Sequence, residues 1–148
     1  MNISVENIEL PKDLSKLTAE ELDRIAEEKG KSYANPKDGI KTNQMRNVFS
    51  NILSIKNQYN RYVTNNLHND INFDELNREL MLLKPKIAYA VGRASGYSKE
   101  KYRDFYNLNK TAIKSVINSE NKITAYENYF ALMEAIIAYH KYYGGKEN

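Results

Sequence analysis

The sequence predicts an all-α protein, a single compact bundle of five to six mostly antiparallel helices. Apolar residues recur at helical spacing along almost the whole chain, and no stretch alternates apolar and polar residues as a half-buried strand does. The connections between helical stretches are short, which favours antiparallel neighbours. A chain of 148 residues has the length of one domain that folds without disulfides or metals, so we expect one helical domain over residues 1–148.

The first helix is predicted from a capping box, in which Thr18 is followed three residues later by Glu21. It is short and acidic, and Gly30 is its expected end. The stretch that follows, KSYANPKDG, is rich in turn residues. Residues 31–41 are therefore expected to form a loop before the second helix, and the sequence leaves open whether residues 1–16 are ordered or flexible.

The second helix is expected to be the longest, with Thr42 as its cap. One broad face carries its apolar side chains at 100° per residue: Met45, Val48, Phe49, Ile52, Tyr59, Tyr62, Val63 and Leu67. Lys56 falls inside this face. Because lysine is rarely buried without a partner, its ammonium group must extend to solvent, pair with an acidic side chain or bind an outside anion.

The remaining helices follow from the same periodicity. A third begins near Asn72, where two acidic residues suit the positive end of a helix dipole, and Pro85 is expected to break or restart it. A fourth is expected from about residue 98 to residue 118. A fifth is expected from about residue 122 to the glycines at 144 and 145.

The sequence brings together no obvious catalytic or metal-binding set. His68 and His140 are far apart, and Glu134 lies six residues before His140, which is not the spacing of a helical zinc motif. We expect His140 to be a satisfied, half-buried residue on the apolar stripe of the last helix. The acidic residues near the start of the third helix are typical of a helix N-terminus rather than a metal site: Asp70, Asp74, Glu75 and Glu79.

Several classes of chemistry lack their usual sequence signals. The chain has no cysteine, which excludes disulfides and thiol catalysis. It also has no glycine-rich phosphate loop and no nucleophile elbow. We therefore expect no enzymatic activity, no cofactor and no metal ion.

The composition predicts a soluble, cytoplasmic protein. The absence of cysteine suits a reducing compartment. The N-terminus lacks the cationic start and apolar core of a secretory signal, and no apolar run approaches the roughly 20 residues that span a bilayer. We expect no membrane association.

Charge is unevenly distributed along the chain. Residues 1–30 hold four basic and eight acidic side chains, whereas residues 31–69 hold six basic and one acidic. A cationic middle segment is typical of proteins that bind a polyanion such as nucleic acid. A solvated basic surface gives the same pattern and remains the alternative.

The stretch LLKPKIAYAVGR places three cations in an otherwise apolar segment. If Pro85 is the first residue of a helix, Lys84 and Lys86 lie beside free backbone N–H groups, and both kinds of group favour phosphate. Lys86 and Arg93 are seven residues apart and share a face with Tyr89, a candidate for base stacking. A kinked helix with solvated lysines is the alternative.

Three stretches resemble the small subunit of type III-A CRISPR effector complexes, the Csm type. They are IKTNQMRNVF (40–49), LLKPKIAYAVGR (82–93) and MEAIIAYHKYYGG (133–145). The resemblance implies a non-catalytic, all-helical subunit that stacks along the inner face of a ribonucleoprotein filament in antiviral defence. There it would contact the backbone subunits, the large signalling subunit and the phosphates of the guide–target RNA duplex.

Seven cationic side chains are the candidate RNA contacts. The resemblance places four of them by motif: Arg46, Lys84, Lys86 and Arg93. Charge and helix face add Lys41, Lys56 and Arg61. The leading hypothesis is a scaffolding subunit that binds the RNA backbone without sequence specificity. The alternative is a purely protein-binding helical bundle, and self-association of the isolated protein stays open.

Overall fold

The computed structural model describes residues 10–64, 71–94 and 96–145, and in these ranges it contains five α-helices and no β-strand. The all-α prediction is confirmed. The helices are α1 (Ala19–Tyr33), α2 (Thr42–Thr64), α3 (Phe73–Arg93), α4 (Lys99–Ile117) and α5 (Lys122–Tyr142). Short 3₁₀ turns, Leu14–Lys16 and Gly96–Ser98, precede α1 and α4.

The last helix, α5, occupies the centre of the bundle. It contacts α1, α2, α4 and the first 3₁₀ turn, whereas α3 packs mainly on α2 and α4. Because α5 has partners on several sides, its exposed residues are confined to one narrow side: Glu127, Ala131, Ala138, Lys141 and Tyr142.

None of the helices in the described ranges is long and apolar enough to cross a bilayer.

The first helix begins where the capping box predicts but ends later than expected. Thr18 and Glu21 exchange the two capping hydrogen bonds. The helix then continues through Gly30 to Tyr33, so the prediction that it ends at Gly30 is wrong. The loop expected over 31–41 is correspondingly shorter and covers residues 34–41.

Gly30 does not end α1; it allows α1 to pack closely on α5. A Cβ atom added there would lie 2.5 Å from the Cβ of Tyr139 and 2.9 Å from the backbone oxygen of Ile136. Only glycine lets α1 and α5 approach this closely. The close approach makes α1 a firmly packed neighbour of the central helix despite its acidic outer face.

Residues 10–16, whose order the sequence leaves open, pack against the bundle. Leu14 is fully buried. The hydroxyl of Ser115 donates to the carbonyl of Pro11 over 2.6 Å, and the amide of Asn128 donates to the carbonyl of Leu14 over 2.9 Å. Residues 1–9 lie outside the described part of the chain.

The second helix is the longest of the five, as predicted, and begins at Thr42. Every described position of its predicted apolar face is buried or half-buried. Leu67, assigned to the same face, lies outside the described residues. The burial of this face fixes which side of α2 is left for solvent and for ligands.

The third helix runs through Pro85 without interruption, contrary to the predicted break. Asn72 caps its start by accepting a hydrogen bond from the amide of Glu75. Pro85 and Met81 are both exposed, so water can satisfy the Met81 carbonyl that has no amide donor four residues on. The helix therefore tolerates the proline on its solvent side.

A buried polar cluster of Lys29, Tyr33 and Asp104 joins α1 to α4. The Nζ atom of Lys29 lies 2.8 Å from Oδ2 of Asp104, and the Lys29 side chain is only 4% exposed. The hydroxyl of Tyr33 donates to the same carboxylate oxygen over 2.6 Å. Burial and the neighbouring charge of Asp104 together raise the pKa of the Tyr33 phenol, which keeps it a donor.

Candidate nucleic-acid interface

A groove lies between α2 and α3, with a volume of about 260 Å³. We call it the α2–α3 groove. Its floor consists of buried or half-buried apolar side chains where the two helices meet, and its rim is polar. The floor residues are Val48, Leu83, Ile87 and Ala90. The rim residues include Gln44, Asn47, Asn51, Lys86, Tyr89 and Arg93.

Helical spacing explains why these side chains share one groove. On α3, Lys86, Tyr89 and Arg93 are three, four or seven residues apart, so they lie along one face. On α2, Gln44, Asn47 and Asn51 have the same spacing. The groove therefore has an amide wall on α2 and a cationic wall on α3.

A second cavity, of about 330 Å³, adjoins this groove at the C-terminal end of α3. The two cavities share four lining residues: Gln44, Arg93, Ala94 and Tyr102. The second adds Lys37 and Lys41 from the segment between α1 and α2, and Tyr97 from the turn before α4. We call the two cavities together the basic groove.

Local turn chemistry positions the loop side chains of the basic groove. The side chain of Asn35 accepts a hydrogen bond from the amide of Lys37 over 2.8 Å, which forms an Asx turn. Gly96 has a φ of 64°, in the left-handed region that favours glycine. This residue turns the chain between α3 and α4 and brings the adjacent Tyr97 to the cavity.

The basic groove carries one sign of charge. Its lining contains four cationic side chains and, among the described residues, no carboxylate. The cations are Lys37, Lys41, Lys86 and Arg93. A concave surface with cations alone raises the local concentration of anions, so the arrangement suits a phosphate-bearing ligand.

Arg93 is held in place within the groove. Its guanidinium carbon lies 5.6 Å from the centroid of the Tyr89 ring, a cation–π contact. Arg93 also lies in the last turn of α3, where the negative end of the helix dipole favours a cation. Tyr102, at the back of the groove, stays neutral because burial raises its pKa to about 12.

Three of the seven predicted RNA contacts line the basic groove: Lys41, Lys86 and Arg93. The predicted convergence of Lys84 with Lys86 on a helix start is wrong, because α3 has no start at Pro85. In a continuous helix, two residues that are two positions apart point about 200° apart. Lys84 is half-buried and lines neither cavity.

The other three predicted contacts lie elsewhere on α2. Lys56 forms an ion pair with Glu134 of α5, so an acidic partner explains the lysine inside the apolar face. Arg46 is exposed but lies two residues after Gln44, on the opposite side of α2. Arg61 is exposed and lies about 15 Å along the helix axis from the nearest groove residue of α2.

Sequence reasoning missed several polar or aromatic residues of the basic groove, among them Lys37, Gln44, Asn47, Asn51 and Tyr97. Gln44 and Asn47 belong to the stretch IKTNQMRNVF, in which the charge of Arg46 suggests a ligand contact and the amides give no such signal. Lys37 and Tyr97 lie in turns, where no periodicity indicates a face. Only the folded chain brings these two turns to the same end of α3.

His140 is satisfied, as predicted, but fully buried rather than half-buried. Its Nε2 atom lies 2.8 Å from the carbonyl oxygen of Ile40, and its side chain is 2% exposed. Across residues 10–64, 71–94 and 96–145, no three His, Asp or Glu side chains lie close enough together to hold a metal ion. His68 and Asp70 lie outside those ranges.

Comparison with known proteins identifies the family. The family model described as Csm2 Type III-A matches residues 16–146, which include all five helices and both cavities of the basic groove. No curated protein and no solved structure matches the chain. The family is that of the small subunit of multi-subunit type III-A CRISPR complexes, as the three resembling stretches imply. This chain belongs to the Csm2 Type III-A family.

Proposed function

We propose that the chain is a non-catalytic, scaffolding small subunit that acts in antiviral defence in the cytoplasm and binds the phosphate backbone of guide and target RNA. The observation that carries this proposal is the basic groove, whose lining in the described part of the chain holds four cations and no carboxylate. Lysine and arginine bind phosphate without reading sequence. In an RNA-guided complex, base pairing supplies the sequence information, so a backbone reader is what such a subunit requires.

The proposed RNA contacts are Lys37, Lys41, Lys86 and Arg93. Arg46 and Arg61 are exposed outside the groove and stay predictions from charge and family. Lys56 also stays a prediction, and RNA binding there would have to replace its ion pair with Glu134. Within the complex, we propose that the subunit also contacts the backbone subunits and the large signalling subunit.

The test is a salt titration of RNA binding by fluorescence anisotropy, with the isolated protein and with the assembled complex. The variant is Lys86→Ala with Arg93→Ala. A matched control is Lys110→Ala with Lys114→Ala, which removes the same charge from exposed positions of α4 outside the basic groove. Both double variants remove two positive charges, so they differ only in the site from which the charge is removed.

We expect the groove variant to bind all RNA sequences more weakly. The slope of log affinity against log salt should fall by about 2, because each phosphate that a cation no longer neutralises reduces it by roughly 1. The control variant is expected to change the slope much less. Equal effects of the two variants would assign the binding to diffuse positive charge and would contradict the role of the groove.

A protein-only scaffold is the second candidate, and one observation favours it. Three large apolar side chains of α2 and α3 are exposed by 38–45%: Leu53, Met81 and Leu82. Exposed apolar side chains suit contacts with partner proteins or with a second copy of the chain. If the groove variant assembles normally and the complex binds RNA as before, the protein-only alternative is favoured.

A further inference from the structure

The α2–α3 groove has features that phosphate binding does not require. Its floor, formed in part by Val48, Leu83 and Ile87, is apolar. A phosphate group gains nothing from apolar contact, whereas a flat apolar ring system does. Because the described rim residues include cations and no carboxylate, the ligand that fits the whole groove has an apolar body attached to anionic groups. A nucleotide has this chemistry.

The size of the groove limits the ligand to a small body. Its volume of about 260 Å³ lies just below the range of about 300–1,000 Å³ typical of pockets for drug-sized molecules. The space suits one ring system and is far too small for a duplex. A base would therefore have to be unpaired to enter.

The amide wall supplies groups for the edge of a base. In the described ranges the side chains of Gln44 and Asn47 make no hydrogen bond, although both line the groove. Asn51 donates from its side chain to the carbonyl of Asn47 over 3.1 Å and retains its own side-chain oxygen as an acceptor. Because each amide group offers a donor and an acceptor, this wall matches the edge of any base and confers no strict sequence preference.

Tyr89 provides a stacking surface at the rim. Its side chain is 67% exposed, and the guanidinium of Arg93 covers one face of the ring. The other face is left for a base, and stacking on an aromatic ring tolerates every base. Lys86, one turn before Tyr89 on the same helix face, lies within reach of a flanking phosphate.

We infer that the α2–α3 groove takes up a single unpaired nucleobase of the bound RNA, with Tyr89 stacked on the base and Lys86 and Arg93 on the adjacent phosphates. This inference rests on the proposed function and extends it. It predicts that the protein prefers RNA in which one base is displaced from the duplex.

The experiment compares three RNA duplexes of equal length at one salt concentration. The first is fully paired, the second has one bulged nucleotide, and the third has an abasic residue at the bulge. We expect the full-length protein to bind the bulged duplex at least about fivefold more tightly than the abasic one, since stacking of one base on an aromatic side chain is worth at least that factor. A fluorescent base analogue at the bulge should change its emission on binding.

Variants test the assignment to the groove. Tyr89→Ala is expected to remove the preference for the bulged duplex and to retain the salt dependence. Tyr142→Ala is the matched control, because Tyr142 is 77% exposed on α5 and lines neither cavity. Asn47→Ala is expected to reduce the preference without disturbing the core, since Asn47 is exposed.

The outcomes separate this inference from the proposed function. Equal affinity for the bulged and abasic duplexes, with the salt dependence intact, would overturn base capture and leave backbone binding in place. Absence of RNA binding in both the protein and the complex would overturn both. Equal affinities together with defective assembly of Tyr89→Ala would assign the groove to a side chain of a partner protein and would also overturn base capture.

Discussion

The cluster of Lys29, Tyr33 and Asp104 gives the most direct test of how α1 is attached to the bundle. The substitution Asp104→Asn removes the negative charge at almost constant volume and leaves the amide oxygen as an acceptor for Tyr33. The ammonium of Lys29, only 4% exposed, then lacks a counter-charge. Breaking a buried ion pair from one side costs about 3–5 kcal/mol, and Asp104 is 29% exposed, so we expect a destabilisation of about 3 kcal/mol.

Substitution of the other partner of the ion pair, Lys29, should lower the stability much less. Lys29→Met removes the buried charge and fills its space, and it leaves a partly exposed carboxylate that still accepts a hydrogen bond from Tyr33. We expect this variant to be destabilised by about 1 kcal/mol, because the remaining Asp104 carboxylate is 29% exposed to water and so is not left as an uncompensated buried charge. In the double variant, Lys29→Met should recover most of the stability that Asp104→Asn removes.

The free energies of unfolding come from urea denaturation followed by far-ultraviolet circular dichroism, with the slope of the transition checked for constancy. The decisive quantity is the coupling energy of the double-mutant cycle. If Asp104→Asn costs no more than Lys29→Met, or if the two effects simply add, the ammonium of Lys29 finds water or another partner. The account of this cluster would then be refuted.

Two further predictions concern packing and alkaline stability. Gly30→Ala should destabilise the protein by about 1–3 kcal/mol in a thermal melt, because its methyl group would overlap the Tyr139 and Ile136 atoms of α5. The control is Gly92→Ala, which has open space around it and should stabilise the protein by up to about 1 kcal/mol. Equal effects of the two substitutions would contradict the packing role of Gly30. Burial raises the pKa values of Tyr33, Tyr59, Tyr102 and Tyr126, that of Tyr102 to about 12. Since the unfolded phenols titrate near pH 10, stability should be intact below about pH 10 and fall as the pH rises above it, by up to about 1.4 kcal/mol per pH unit for each buried tyrosine. The pH dependence of stability can be measured from urea denaturation midpoints, with tyrosinate absorbance followed at each pH. Stability that stays constant above about pH 10 would contradict the prediction.

Local signals in the sequence were sufficient where a local interaction decides the structure. The caps at Thr18 and Asn72 are formed by side chains three residues from their partners, so the starts of α1 and α3 could be predicted. The signals at Gly30 and Pro85 were overridden. Close packing on α5 requires the glycine inside a helix, and solvent exposure lets α3 accommodate the proline.

One wall of the candidate site could be predicted, and the rest could not. The shared face of Lys86, Tyr89 and Arg93 follows from helical periodicity alone. The amide wall on α2 and the contribution of Lys37 depend on which helices become neighbours, which periodicity does not specify. Lys56 shows the same limit, because the acid that pairs with it is 78 residues away in the sequence.

Pro85 has a consequence for the motion of the site. Because proline has no amide hydrogen, α3 lacks one backbone hydrogen bond at this point, and the groove residues Lys86, Tyr89 and Arg93 all lie on its C-terminal side. A helix bends most easily where a rung of its hydrogen-bond ladder is absent. We expect the final turns of α3 to pivot by a small angle about Pro85 while the first turns stay anchored on the core. The width of the groove can then adjust to its ligand without unfolding the helix, and amide hydrogens after Pro85 should exchange faster than those before it.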